Sequence, residues 1–212
     1  MSSMMPNLRA LVRILERLFF DAGAIMISIA KPLSSSIEGR NLRLRLVESG
    51  DAAYLHRLRT DPAYNQYLST VDGSIQDQQR WIEAYKDREA LGGEFYFIIE
   101  RRDGVPCGTV RLYEIADDRF TWGSWILDSN KLRNAALESA LLSFGFGFHH
   151  LDLNVARIDV RADNYHAIAF YQRFGMTKIE QSTYEIEFEY TRPQYEEDKP
   201  VYLKVLENEA SV

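Results

Sequence analysis

The sequence is poor in residues that announce simple chemistries. It holds one cysteine, Cys107, and 4 histidines in 212 residues. A single thiol excludes an internal disulfide framework and a cysteine-rich zinc site, and it suits a reducing cytoplasm. His149 and His150 are adjacent and lack a nearby set of acidic or cysteine ligands, so no metal is expected. No run of about 18 uninterrupted apolar residues occurs, which leaves the sequence without a membrane-spanning segment. The net charge of −6 is small and of the wrong sign for a nucleic-acid binder, so no nucleic-acid partner is expected.

What is present is the balance of a soluble globular protein, 46% apolar and 26% charged. The length suits one ordinary domain with a complete core and a short appendage. Residues 1–36 read as an amphipathic helix and linker, 37–206 as the domain and 207–212 as a flexible tail. In the first segment Leu8, Leu11, Val12, Leu15, Leu18 and Phe19 recur at helical spacing, with Arg9, Arg13 and Arg17 between them. Charges interrupt it too often for a signal peptide. Docking on a membrane surface, which one such helix sustains only marginally, remains one reading. Packing on its own domain or on a second copy in a homodimer, or an extension ahead of a product starting at Met26, are the others.

From Asn41 strands and helices alternate without a repeat, the pattern of an α+β (mixed α/β) domain. The segment NLRLRLVE alternates strictly and predicts the first strand. A short helix over 51–59 ends at Asp61-Pro62, and Ser74 with Asp77 forms a capping box that opens a helix through Trp81, Ile82 and Tyr85. Asp103-Gly104 turns a hairpin between two apolar runs, and Arg119 to Leu127 predicts the next antiparallel strand. A strand ARIDVRA follows, then a helix from Asp163 or Asn164 to Gly175. The stretch STYEIEFEYT predicts a half-buried strand, with VYLKV expected to pair with it. Alternation along TWGSWIL places Trp122 and Trp125 on opposite faces, one of them a candidate wall for an acceptor pocket.

Between the predicted strand 119–127 and the helix after it lies SNKLRNAALESALLSFGFGF. A helix start of this kind attracts phosphates, because its first N–H groups lack internal partners and carry the positive end of the dipole. Yet the glycines of a phosphate loop are missing. The apolar face of Leu137, Ala140, Leu141, Phe144 and Phe148 explains the helix by packing alone, and Gly145 and Gly147 predict close approach of another element.

The stretch DVRADNYHAIAFYQRFGM carries Asn164, Ala167, Tyr171 and Gly175 at a spacing that resembles the GCN5-related N-acetyltransferase (GNAT) family. The resemblance runs from about Asn41 to Leu206. It implies a central, mostly antiparallel sheet flanked by helices and splayed between its fourth and fifth strands, with acetyl-CoA as acyl donor in the gap. Backbone groups of Trp125, Ile126 and Leu127 would meet the pantetheine arm. The pyrophosphate would sit at Lys131, Arg133, Asn134, Ala135 and Ala136, with Asn164 also on the cofactor side. In this frame Asn134 stands where a glycine is expected, and asparagine is among the residues that tolerate the left-handed region.

Acetyl transfer to an amine needs a base for the ammonium and an acid for the departing thiolate. The resemblance assigns Tyr171 the acid role. For the base, Glu114 at a strand end and ordered water are both open. The acceptor is a small-molecule amine, such as an amino sugar nucleotide, or a peptide amine at a protein N-terminus. A non-catalytic acyl-CoA-binding module is the reading from another class.

Overall fold

The computed structural model describes residues 36–69 and 71–208. The amphipathic N-terminal helix therefore lies outside the described residues. Eight strands form one sheet: β1 (Ser36–Glu38), β2 (Leu42–Leu46), β3 (Phe95–Arg101), β4 (Pro106–Ala116), β5 (Arg119–Leu127), β6 (Val155–Arg161), β7 (Thr177–Gln181) and β8 (Glu185–Thr191), in the order β1-β2-β3-β4-β5-β6-β8-β7. All neighbours pair antiparallel except β5 and β6, which are parallel. Because β1 precedes the strand expected to come first, the expected fourth and fifth strands are β5 and β6. The helices are α1 (Ala52–Thr60), α2 (Pro62–Asn65), α3 (Ile75–Ala90), α4 (Ala135–Gly145), α5 (Tyr165–Arg173) and α6 (Arg192–Asn208). Among the described residues no helix is long and apolar enough to cross a membrane.

Local chemistry accounts for most boundaries. Ser74 and Asp77 form the capping box of α3, satisfying two orphan groups of its first turn. Asn164 caps α5 by accepting from the Ala167 N–H, and Gly175, at φ +80°, ends that helix as only a residue without a Cβ does cheaply. Helices cover both faces of the sheet, which is why β3 is apolar nearly throughout. Its Phe95 and Phe97 pack on Phe146, at ring separations of 4.9 and 5.1 Å. Its Tyr96 and Ile98 share a cluster with Leu55, Ile82 and Tyr85 of α1 and α3.

The helix over 135–145 continues as a π-helical turn, Phe146–His150. The expected close approaches at its glycines are present. A Cβ on Gly147 would run into the Phe120 ring of β5, and one on Gly145 into the Tyr195 hydroxyl of α6. Phe144 stacks on Trp122 at 4.9 Å, so this helix rests directly on β5. His149 pairs with Glu196 and His150 stacks on Phe146, which gives each histidine a packing role.

One expected strand is corrected. VYLKV lies inside α6, and β8 pairs with β6 on one side and β7 on the other. The alternation of Val201, Leu203 and Val205 misleads because all three side chains are exposed, whereas α6 packs through Tyr195 and Leu206. β7 is solvent-exposed throughout, so it has no buried face to impose a pattern of period two.

Glu138 ties α4 to the start of β2. Buried at 2% exposure, it accepts from the Asn41 N–H at 2.8 Å, the Leu42 N–H at 3.2 Å and Asn41 Nδ2 at 3.2 Å. Replacing it strands these donors. Glu138→Ala is expected to lower unfolding stability by about 3 kcal/mol, with Glu138→Gln losing less, as read from urea midpoints at constant slope.

Candidate active site

The site begins where a pairing stops. β5 and β6 are in parallel register only over Arg119–Thr121 and Val155–Arg157, and past Thr121 β5 keeps β4 as its neighbour but leaves β6. A bulge lies there: Thr109 of β4 pairs with Ile126 and Arg111 with Gly123, so one extra residue of β5 is accommodated. Ser124 takes it up at φ +46°.

That extra residue reverses the alternation, as a bulge does. The expectation of tryptophans on opposite faces is therefore corrected: Trp122 and Trp125 lie together, ring centroids 5.1 Å apart. Both donate to serines of α4, Trp122 to Ser143 at 2.8 Å and Trp125 to Ser139 at 3.2 Å.

The gap holds a cavity of about 180 Å³, bounded by Ser124 and Trp125 of β5, Asp159 and Val160 of β6, and Asn164 and Tyr171 of α5. Tyr171 is buried, with its ring against Trp122, Trp125 and Phe188. Among the described residues its hydroxyl has no hydrogen-bond partner. Burial raises its pKa above that of an ordinary phenol, which keeps the proton available for donation. Asn164 lines the same cavity while its carbonyl oxygen caps α5.

Asp128 N–H donates to the Cys107 carbonyl across on β4. By the strand period the backbone of Ile126 also faces β4, while Trp125 and Leu127 turn their N–H and C=O groups toward the open edge. Of the three residues expected at the pantetheine arm, these two have the suitable direction.

A second cavity, about 310 Å³, lies between α4 and α5 and is lined by Asn134, Ala136, Leu137, Arg173, Phe174 and others. Asn134 has φ +58°, the left-handed conformation a glycine would otherwise supply. Its Nδ2 is buried without a partner among the described residues. The Ala135 N–H is already given to the Leu132 carbonyl at 3.2 Å, so the N–H groups of Ala136 and Leu137 are the ones the helix start leaves without intrahelical acceptors. Lys131 and Arg133 are exposed beside it. An orphaned donor, a helix start and Arg173 make a set that fits a pyrophosphate.

Glu114 is placed elsewhere. It sits at a second bulge, on β4, with φ +50°, accepts from Thr121 Oγ1 at 2.8 Å, and lines none of these cavities. The carboxylates that line the gap are Asp159, on β6, and Glu185, at the start of β8. Loss of water contact, then the charges of Glu187, Glu185 and Glu114, push the pKa of Asp159 above the usual aspartate value. Asp159 is the first residue of the recognisable DVRADN run, but only the open edge of β6 marks it as a site residue.

On the opposite face a cleft of about 640 Å³ is bounded by α1, α3, β3 and β4, with Arg59, Trp81, Tyr96, Arg111, Tyr113 and Ser124 among its walls. It meets the smaller cavity at Ser124. The Tyr113 hydroxyl hangs over Gly123, where an added Cβ would lie 3.1 Å away.

A splayed sheet with a phosphate-fitting groove on one face and an acceptor-sized cleft on the other defines an acyltransferase of the N-acetyltransferase class. The model of the acetyltransferase (GNAT) domain matches residues 41–177, and the chain belongs to that family. The apo structure of FdhC, a nucleotide-linked sugar GNAT, is 38% identical with a TM-score of 0.74, covering 79% of this chain and 96% of that one. Spermidine N-acetyltransferase from Vibrio cholerae, solved with CoA and spermine, is 19% identical with a TM-score of 0.64, covering 73% and 98%. Ribosomal-protein-S5-alanine acetyltransferase from Vibrio fischeri is 14% identical with a TM-score of 0.67, covering 76% and 99%; these last two share the fold. No curated protein matches the chain.

If the Asn134 amide meets a phosphate oxygen, Asn134→Gly, which keeps the backbone conformation, weakens CoA binding by roughly 3- to 10-fold with little change in melting temperature. Calorimetric titration of CoA reads this. Asn134→Ala adds about 1 kcal/mol of backbone strain to the same loss. Undiminished affinity in the glycine variant would place the pyrophosphate elsewhere.

Proposed function

We propose that the protein transfers an acetyl group from acetyl-CoA to the primary amine of a nucleotide-linked amino sugar. The observation that carries this reading is the cleft ending at Ser124: a roomy pocket in which Arg59 and Arg111 stand among the rings of Trp81, Tyr96 and Tyr113, with the carboxylates Asp72 and Asp77 in the same lining. Arginines and aromatic rings suit an anionic, ring-bearing acceptor. The two guanidiniums repel the charges of a polyamine. The similarity to FdhC, a nucleotide-linked sugar GNAT, points the same way.

When bound, acetyl-CoA supplies a thioester whose carbonyl carbon the amine attacks. Trp125 and Leu127 direct the donor along the open edge of β5. Asn134, Ala136, Leu137 and Arg173 hold its phosphates. Asp159, on the acceptor side of the gap, removes the proton from the ammonium, directly or through one water. Its raised pKa makes it a better base than an ordinary aspartate. Glu114 supports it from one side as a neighbouring negative charge. Tyr171, on the cofactor side, gives a proton to the departing sulfur.

A screen of amine acceptors with acetyl-CoA tests the substrate class, and turnover confined to polyamines or peptide N-termini would overturn it. Asp159→Asn is expected to reduce kcat/KM by about 10²- to 10³-fold. In the wild type the acidic limb of the pH–rate profile should fall above the ordinary aspartate range, because a raised pKa keeps the base protonated to higher pH; the variant loses that limb. Tyr171→Phe keeps the ring packing and should slow turnover by about 10²-fold at nearly unchanged CoA affinity.

A further inference from the structure

The cleft carries two features that packing alone leaves unexplained. Tyr96 is 2% exposed, yet among the described residues its hydroxyl is buried without a hydrogen-bond partner, and so is Nε of Arg59. Both residues line the cleft. Buried polar groups are normally satisfied, so two orphans in one pocket mark atoms awaiting a ligand. An arginine Nε only donates and a tyrosine hydroxyl donates readily, so the ligand must bring acceptor atoms there. A cationic polyamine brings none.

The cations of the cleft are held before any ligand arrives. Nη2 of Arg59 is fixed by the carbonyl and hydroxyl of Ser69 at 2.9 and 2.8 Å. Arg111 is tied through Nε to Glu94 at 2.5 Å, and its guanidinium lies over the rings of both Trp81, at 5.4 Å, and Tyr113, at 4.7 Å. Glu94 is shared with Arg88, at 2.8 Å, so one buried carboxylate serves two arginines and a positive charge is left over. Of the two carboxylates in the same wall, Asp77 is engaged by Ser74 and Arg80, and Asp72 lies beside it near the start of α3.

We propose that Arg59, Arg111 and the Tyr96 hydroxyl form the docking site for the diphosphate of a nucleoside diphosphate sugar. The diphosphate lies across the two arginines, and the sugar extends along Tyr113 to bring its amine to Ser124 and Asp159. This assignment rests on the reading of the acceptor as nucleotide-linked. It also sets specificity: the site selects acceptors by their phosphates at a distance from the reacting amine.

The full chain is titrated calorimetrically with UDP, dTDP, uridine and thymidine, and acceptor turnover is measured separately with UDP- and dTDP-linked amino sugars. Expected is binding of at least one diphosphate and of neither nucleoside. Arg59→Gln and Arg111→Lys should each weaken that binding by roughly 10- to 100-fold, the range of a lost charge-assisted hydrogen bond, while CoA affinity stays unchanged. Tyr96→Phe, which preserves the packed ring, should weaken it by roughly 3- to 10-fold. Should Arg111→Lys fail to fold, the other two variants carry the test. Turnover of nucleotide-linked amino sugars with diphosphate binding absent, or unmoved by all the folded variants, overturns the docking site alone. Absence of turnover with every nucleotide-linked amine overturns the functional reading beneath it.

Discussion

Everything that can work in this molecule depends on the parallel pairing of β5 and β6 ending at Thr121. Were the ladder continued, it would close the sheet and bury the edge that acyl transfer needs. The bulge at Ser124 stops it by making β5 absorb one residue more than β4, which bends the strand and increases its local twist. The same residue turns Trp125 onto the face already used by Trp122, where both indoles anchor to serines of α4. Opening the gap and walling it are thus one event.

The two faces of the sheet then take different chemistry. On the α4 and α5 face, aromatic rings and small residues bring a helix start close to the gap, and Asn134 adopts a left-handed conformation that leaves its Nδ2 without a partner among the described residues. On the α1 and α3 face, buried carboxylates serve as struts. Asp128, 1% exposed, takes Arg57 at 2.9 Å and Tyr54 at 3.1 Å, fastening α1 to the end of β5 just ahead of the phosphate-fitting loop. Glu94 fastens α3 to β4 through Arg88 and Arg111. Such carboxylates are tolerated because each meets several donors; a lone one would be expensive to bury. They couple the wall of the acceptor cleft to the strand carrying the gap.

Much of the fold was legible because its signals are local. Ser74 with Asp77, Asp103-Gly104, Asn164 and Gly175 each act on backbone groups a few residues away, and each boundary falls where those residues place it. The alternating leucines of β2 meet a real core at Leu42 and Leu44. β7 escaped notice because an exposed edge strand buries nothing that would pattern it. VYLKV misled because an apolar alternation on a surface helix looks like a strand with one wet face. Of the expected site residues, Tyr171 came from the spacing of a recognisable motif and Asn134 from a loop in which it stands where a glycine is expected; the structure puts the first at the gap and the second at the start of α4. Asp159 was overlooked in favour of Glu114, since both are acidic residues near strand ends and nothing local tells which one borders the gap.

The sequence by itself determined the order of the main strands and helices from β2 to α5, the caps and turns between them, and the family whose spacing they follow, because those depend on interactions spanning a few residues. Tertiary structure alone decided which face each tryptophan takes, which carboxylates meet the cavity, and that Arg59, Tyr96 and Arg111 share one pocket. These facts turn on a one-residue register shift between β4 and β5 and on the packing of elements distant in the chain. A period-two pattern keeps no record of where its phase is broken.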